Sequence, residues 1–154
     1  MDIQDAKSAS AQHTPTPRET PATTQHARSF LDHGITVIEL LGFIDLNTVP
    51  EIQVHTDAAT APHGAQVIVD LRPVDFFDCS LLGLLCRARR RTLERGGHLA
   101  LVCFRPWHLR ILEAAGLGQL FEPLATVQDA IAGGRPGTSV RSVPPSPAPA
   151  GPSQ

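Results

Sequence analysis

From Val67 to Gly83 the chain reads as a covered β-strand that passes through a short loop into a helix, and this order constrains the fold more than any other stretch. Val67-Ile68-Val69-Asp70-Leu71 is almost wholly apolar and rich in β-branched residues, the composition of a strand buried on both faces. Phe76-Phe77 then leads to Asp78 and Ser80, either of which is placed to cap a helix that opens with Leu81 and Leu82. A strand covered on both sides needs elements packed against each of them, so the expected class is α/β.

The flanking sequence supplies those elements. Ser29 to Asp32 and Ile35 to Leu41 surround His33-Gly34, a turn signal that predicts a β-hairpin. Asp45 or Asn47 caps a predicted helix from Thr48 to Ala59, with Pro50 in its first turn, where a missing N–H costs little. Val49, Ile52 and Ala59 share one face of that helix, and Val54 lies off it. Further along, the pattern predicts a strand over Gln66 to Leu71, a helix from Leu81 to Arg95 stopped by Gly96-Gly97, and a strand over His98 to Cys103. A helix from Pro106 to Ala115, a short strand around Leu120 to Pro123 and a helix from Val127 to Ala132 complete the domain. The expected sheet is mixed and mostly parallel, of about five strands, with the N-terminal hairpin as its antiparallel edge and helices packed on it.

Residues 1–27 are rich in Ser, Thr, Pro, Gln and Ala, and residues 133–154 in Pro, Ser and Gly, so both are expected to be disordered tails around one domain at 28–132. The run Val143 to Pro149 favours extended polyproline-like conformations, either as a solvated tail or as a ligand for an aromatic groove. A formal net charge of -2 gives no general attraction to nucleic acid or to an anionic membrane. Neither a membrane-spanning apolar run nor a hydrophobic signal core is present, so the cytoplasm is the expected compartment. Cys79, Cys86 and Cys103 are odd in number and lack paired metal-ligand spacing, which fits reduced thiols in such a compartment.

The strand, loop and helix around Asp78 resemble the STAS domain, shared by sulfate transporters and bacterial anti-sigma factor antagonists, in which a hydrophobic strand leads to an Asp-Ser-Ser/Thr-Gly-Leu-Gly loop and then a helix. Asp78, Leu82 and Gly83 match that motif. The resemblance runs over about residues 28 to 132. Gly42-Phe43-Ile44-Asp45 resembles the family's turn after its second strand, and Arg95-Gly96-Gly97 with His98 to Val102 resembles its helix stop and fourth strand. Ile111 to Leu117 followed by Phe121 resembles its third helix and last strand.

The antagonist branch implies a regulatory binding module rather than an enzyme. Its expected partner is an anti-sigma factor that carries a serine/threonine kinase-type nucleotide-binding domain, and capture of that partner releases a sigma factor. The expected contact residues are Asp45, Asp78, Cys79, Ser80, Leu81, Leu82 and Gly83. In the antagonists the serine immediately after the aspartate is phosphorylated; here that position is Cys79, so the acceptor candidate becomes the adjacent Ser80. Leu81 replaces the usual glycine, which removes backbone freedom and adds bulk. A phosphate adds about -1.5 to -2 charge at neutral pH and beside Asp78 would repel an acidic or closely packed partner. The alternative is a subunit or scaffold of a larger lipid-transport or stress-sensing assembly that works without phosphorylation.

Other chemistries are poorly served. A thiol at a helix start can be nucleophilic, but no Cys-x5-Arg loop follows Cys79, since residue 85 is Leu, and no histidine stands in the motif to act as base. The histidines at 13, 26, 33, 55, 63, 98 and 108 form no i, i+4 ligand pair, and no Gly-x-x-x-x-Gly-Lys loop occurs, so neither metal nor cofactor is expected. Arg87, Arg91 and Arg95 make a basic stripe with Arg90 poised to pair with Glu94, read either as a solvated face or as a contact for an acidic protein. Stacking aromatics are missing there, which argues against nucleic acid. Trp107, at the start of the third helix, is expected to be a partly buried anchor.

Overall fold

The computed structural model describes residues 23–134; the remainder of both expected tails, including Val143 to Pro149, lies outside the described residues. In chain order the elements are β1 (Ala27–Asp32), β2 (Ile35–Leu40), β3 (Gly42–Ile44), α1 (Val49–Thr60), β4 (Gln66–Asp70), β5 (Val74–Phe77), α2 (Cys79–Glu94), β6 (His98–Val102), α3 (Pro106–Ala114), α4 (Gly118–Phe121) and α5 (Val127–Gly134). The architecture is the expected α/β one.

Four strands form the main sheet in the order β1-β2-β4-β6. The predicted hairpin pairs β1 with β2 antiparallel, and β4 and β6 add to it in parallel. His33 and Gly34 turn the hairpin with φ of 54° and 80°, the left-handed pair that matches strand twist. The unbroken apolar run of β4 follows from what covers it. Val67 and Val69 face a core built by Ile52 of α1 and by Leu81, Leu85 and Ala88 of α2, while Ile68 on the opposite face packs with Val127, Ala130 and Ile131 of α5. Both faces are dry, so neither can alternate with polar residues.

Two features depart from the single sheet of about five strands. Gly42, at φ 76°, turns the chain away from β2, and Gly42 to Ile44 pairs instead with Val74 to Phe77 as a separate two-stranded parallel sheet. These strands are too short to show a period, so their sequence reads as turn and loop. The strand expected at Leu120 to Pro123 is the helical turn α4, closed by Glu122 in the left-handed region at φ 45°. One helical turn brings Phe121 into the core, and strand-like pairing moves on to Leu124, whose N–H reaches the Leu101 carbonyl at 2.9 Å.

The arginine stripe of α2 runs along α1, where each head group meets a partner while Arg95 and part of Arg87 stay open to solvent. Arg87 Nη2 meets Asp57 Oδ2 at 3.3 Å, Arg91 Nε donates to Thr60 Oγ1 at 3.1 Å, and Arg95 Nη1 donates to the Ala61 carbonyl at 2.9 Å. Arg90 pairs with Glu94 at 4.0 Å as its spacing predicts. The stripe is legible in sequence, but its partner lies on another helix. Trp107 is 61 % exposed, so it is mainly a surface side chain rather than the partly buried anchor expected.

At the N-terminal end, residues 23–27, which composition groups with the tail, are tied to the fold. Ala27 pairs with Leu40, His26 Nδ1 lies 3.1 Å from Glu51 Oε1, and Thr24 Oγ1 lies 3.1 Å from Nε2 of the buried His55. Composition averages over a segment and cannot register individual bonds of this kind.

Candidate functional site

The small β3–β5 sheet assembles the two loops that the motif singles out. Ile44 pairs with Phe77, so the chain leaves both strands side by side, as Asp45 from one and Asp78 from the other. The Asp78 N–H donates to the Ile44 carbonyl at 3.2 Å, which locks the last rung.

Each aspartate organises its own turn. Asp45 Oδ1 accepts from the N–H groups of Asn47 and Thr48 at 2.9 and 3.2 Å, and Thr48 Oγ1 accepts from the Asp45 N–H at 2.9 Å. This aspartate turn leads into α1, whose own N-cap residue, Thr48, makes no side-chain cap bond. Asp78 is the N-cap of α2, with extended backbone and its carboxylate accepting from the Ser80 N–H at 2.9 Å. The helix therefore begins at Cys79, two residues before Leu81, and Ser80 serves as a donor to the cap. The Ser80 hydroxyl also donates to Asp78 Oδ1. Those two bonds from Ser80, hydroxyl first, hold the Asp78 carboxyl below its ordinary range, helped by the Leu46 backbone. The loop thus presents a settled anion at neutral pH.

Around this cap the expected contact residues divide. Cys79 is exposed, Ser80 is half-buried, and Gly83 is exposed with nothing within 4 Å of the place a Cβ would occupy. Leu82 is half-buried against the main core. Leu81 is fully buried, which removes it from any contact surface: helical phase from Cys79 turns it inward with Leu84 and Leu85. The bulk that replaces a motif glycine is thus spent on the core.

Three exposed apolar side chains join the site that motif reasoning left out. Phe43, Leu46 and Phe76 are 63 %, 71 % and 44 % exposed. Phe43 and Phe76 sit opposite each other in register, with ring centroids 5.8 Å apart. Strand alternation was the available signal, since Ile44 and Phe77 point in and their neighbours must point out. The result is an apolar face edged by Asp45 and Asp78. Apolar side chains of this size left uncovered beside two fixed carboxylates make this face the candidate contact surface.

Among the described residues, no group of His, Cys, Asp and Glu could hold a metal ion, and no helix is long and apolar enough to cross a membrane. Burial pushes the Cys103 thiol up to about 11, which fits an inert packing role.

A strand pair that ends in two aspartate turns beneath a helix cap is the loop architecture to which the sequence motif pointed, and the family model for the STAS domain matches residues 31–130. The chain belongs to the STAS domain family. The fold is also that of solved anti-sigma factor antagonists. A Mycobacterium paratuberculosis antagonist is 24 % identical, with 71 % of this chain and 93 % of that one covered at a TM-score of 0.66. A STAS domain protein from Planctomyces limnophilus, described as an anti-sigma-factor antagonist, is 23 % identical, with 69 % and 96 % covered at 0.59. The Bacillus cell fate determinant SpoIIAA, in its phosphorylated form, is 25 % identical, with 68 % and 96 % covered at 0.54. Comparison with curated protein sequences gives no significant match.

Proposed function

We propose that this protein is an anti-sigma factor antagonist that acts by binding in the cytoplasm, capturing an anti-sigma factor and so freeing a sigma factor for transcription. The observation that carries this reading is one small sheet that joins the Asp45 and Asp78 turns and exposes Phe43 and Phe76, with Leu46 exposed in the Asp45 turn. An apolar centre with fixed anions at its edge suits a partner surface that is apolar and basic. Asp45, Asp78, Cys79, Ser80, Leu82 and Gly83 remain the proposed contact residues. Catalysis plays no part, and the internal pairing of the α2 arginines gives no reason to add nucleic acid as a partner.

Ser80 is the proposed phosphoacceptor for an anti-sigma factor with a kinase-type nucleotide-binding domain. Its hydroxyl already donates to a carboxylate, which orients it for transfer. A phosphate there would sit at the N-terminus of α2 but beside the Asp78 anion, so the free protein tolerates it while an acidic or tightly packed contact does not.

A second reading rests on Cys79 at the family's acceptor position. With Ser80 engaged by the cap, the protein would bind without a phosphate switch, as an unphosphorylated antagonist or as a STAS subunit of a larger assembly.

Affinity capture from native extract with wild type and Ser80→Asp as paired baits tests both. Wild type is expected to recover an ATP-binding anti-sigma factor that Ser80→Asp does not. Equal recovery favours binding without the switch, and co-purification with membrane transport proteins instead would remove the antagonist reading.

A further inference from the structure

His108 lies in the first turn of α3 and is 2 % exposed, with its ring against Phe77 at a centroid separation of 4.9 Å and a tilt of 54°. Phe77 is itself buried, and it is the residue immediately before the Asp78 cap and the one that pairs with Ile44. The ring therefore packs directly behind the last rung of the small sheet. Its Nδ1 is the one buried side-chain nitrogen or oxygen among the described residues with no hydrogen-bond partner. A neutral imidazole in its Nε2–H tautomer tolerates that position, because Nδ1 then carries only a lone pair. An imidazolium does not, because Nδ1 becomes a buried N–H donor facing no acceptor.

The charged and titratable groups that face the ring are Asp75 on β5 and Arg105 at the start of α3. The Asp75 backbone and carboxylate favour the charged ring, Arg105 opposes it, and burial, the largest influence, also opposes it and holds the ring below the ordinary histidine value. Asp75 is exposed, so solvent weakens its pull on the ring.

We propose that His108 is a positioning residue for the Asp78 loop: its neutral ring holds Phe77 and the cap in place, and its protonation releases them, so that the loop answers to a histidine it does not contain. The coupling from ring to loop is independent of what the loop binds. Its consequence, weaker capture of the anti-sigma factor in acid, rests on the function proposed above.

The full chain is examined by amide NMR from pH 7.5 to pH 5.0 in wild type, His108→Phe and His108→Gln. In wild type the Phe77 to Ser80 amides are expected to follow one titration with a midpoint below 6.5, the ordinary histidine value, coincident with that of the His108 ring signals. In both variants those amides stay flat. Asp78 itself titrates lower still, outside this range. Loop amides that do not move in wild type, that still titrate in a folded variant, or whose midpoint differs from that of the ring would overturn the proposal. If neither variant folds, the comparison of midpoints within wild type decides.

Affinity for the captured anti-sigma factor, measured at pH 7.5 and pH 5.5, is expected to fall by roughly threefold or more in wild type and to change less in His108→Phe. A titrating loop in a protein that captures no anti-sigma factor would sink the functional reading and leave the coupling standing.

Discussion

Asp78 ends β5, caps α2 and supplies the fixed charge at the edge of the apolar face. Asp78→Ala removes the acceptor for both the Ser80 N–H and its hydroxyl, so the urea midpoint is expected to fall, with Asp78→Asn recovering part of the loss. Because its folded-state pKa lies below the ordinary 3.8, the cap contribution is present above that value and is lost as pH falls through the lower one. Unfolding followed at neutral pH and in strong acid checks this: the gap between wild type and Asp78→Ala closes only in acid. The sequence offered Asp78 and Ser80 as alternative caps. The fold uses one as cap and the other as its donor, a division that only backbone geometry decides. Leu81 shows the opposite limit. Its place in a motif suggested contact, and a helix that starts two residues earlier than expected sends it into the core.

At the scale of elements, the strongest local constraint is Gly97. A Cβ there would lie 2.2 Å from the Ala65 carbonyl oxygen and 2.7 Å from the Ala65 nitrogen, both rigid backbone atoms. Gly97→Ala is therefore expected to cost about 2 kcal/mol or more, read as a lower urea midpoint at unchanged slope. Gly96-Gly97 was legible as a helix stop, and Gly96 at φ 75° fulfils that role. The second glycine has a different purpose, close approach of β6 to the loop before β4, which needs knowledge of the strand order. The same boundary separates what was legible in α2 from what was not. Helical spacing reveals an arginine stripe, whereas the acceptors Asp57, Thr60 and the Ala61 carbonyl belong to α1 and the residue that follows it. Short elements fared worst, since β3, β5 and α4 hold too few residues to express a period.

For the whole molecule, acid stability should be governed in part by His55, which is fully buried between Ser29 Oγ at 2.6 Å and Thr24 Oγ1 at 3.1 Å. Burial lowers its pKa despite the attraction of Glu51. The folded state thus binds fewer protons here than the unfolded chain, so this contribution is complete above about 6.5 and is lost as pH drops from there through the lower folded-state value. Urea unfolding at pH 7.5 and pH 5.5 is expected to show a lower midpoint in acid, with a smaller difference in His55→Gln. His108 adds a drop of the same sign, so the variant flattens the dependence without abolishing it.

The uncovered face of Phe43, Leu46 and Phe76 has a consequence for dosage. A side left this greasy gives each free molecule a patch that can meet its own kind, so self-association is expected to rise with concentration, read by light scattering. If the proposed partner seats on those rings, matched synthesis is expected to keep the protein dispersed and overproduction alone to cluster it.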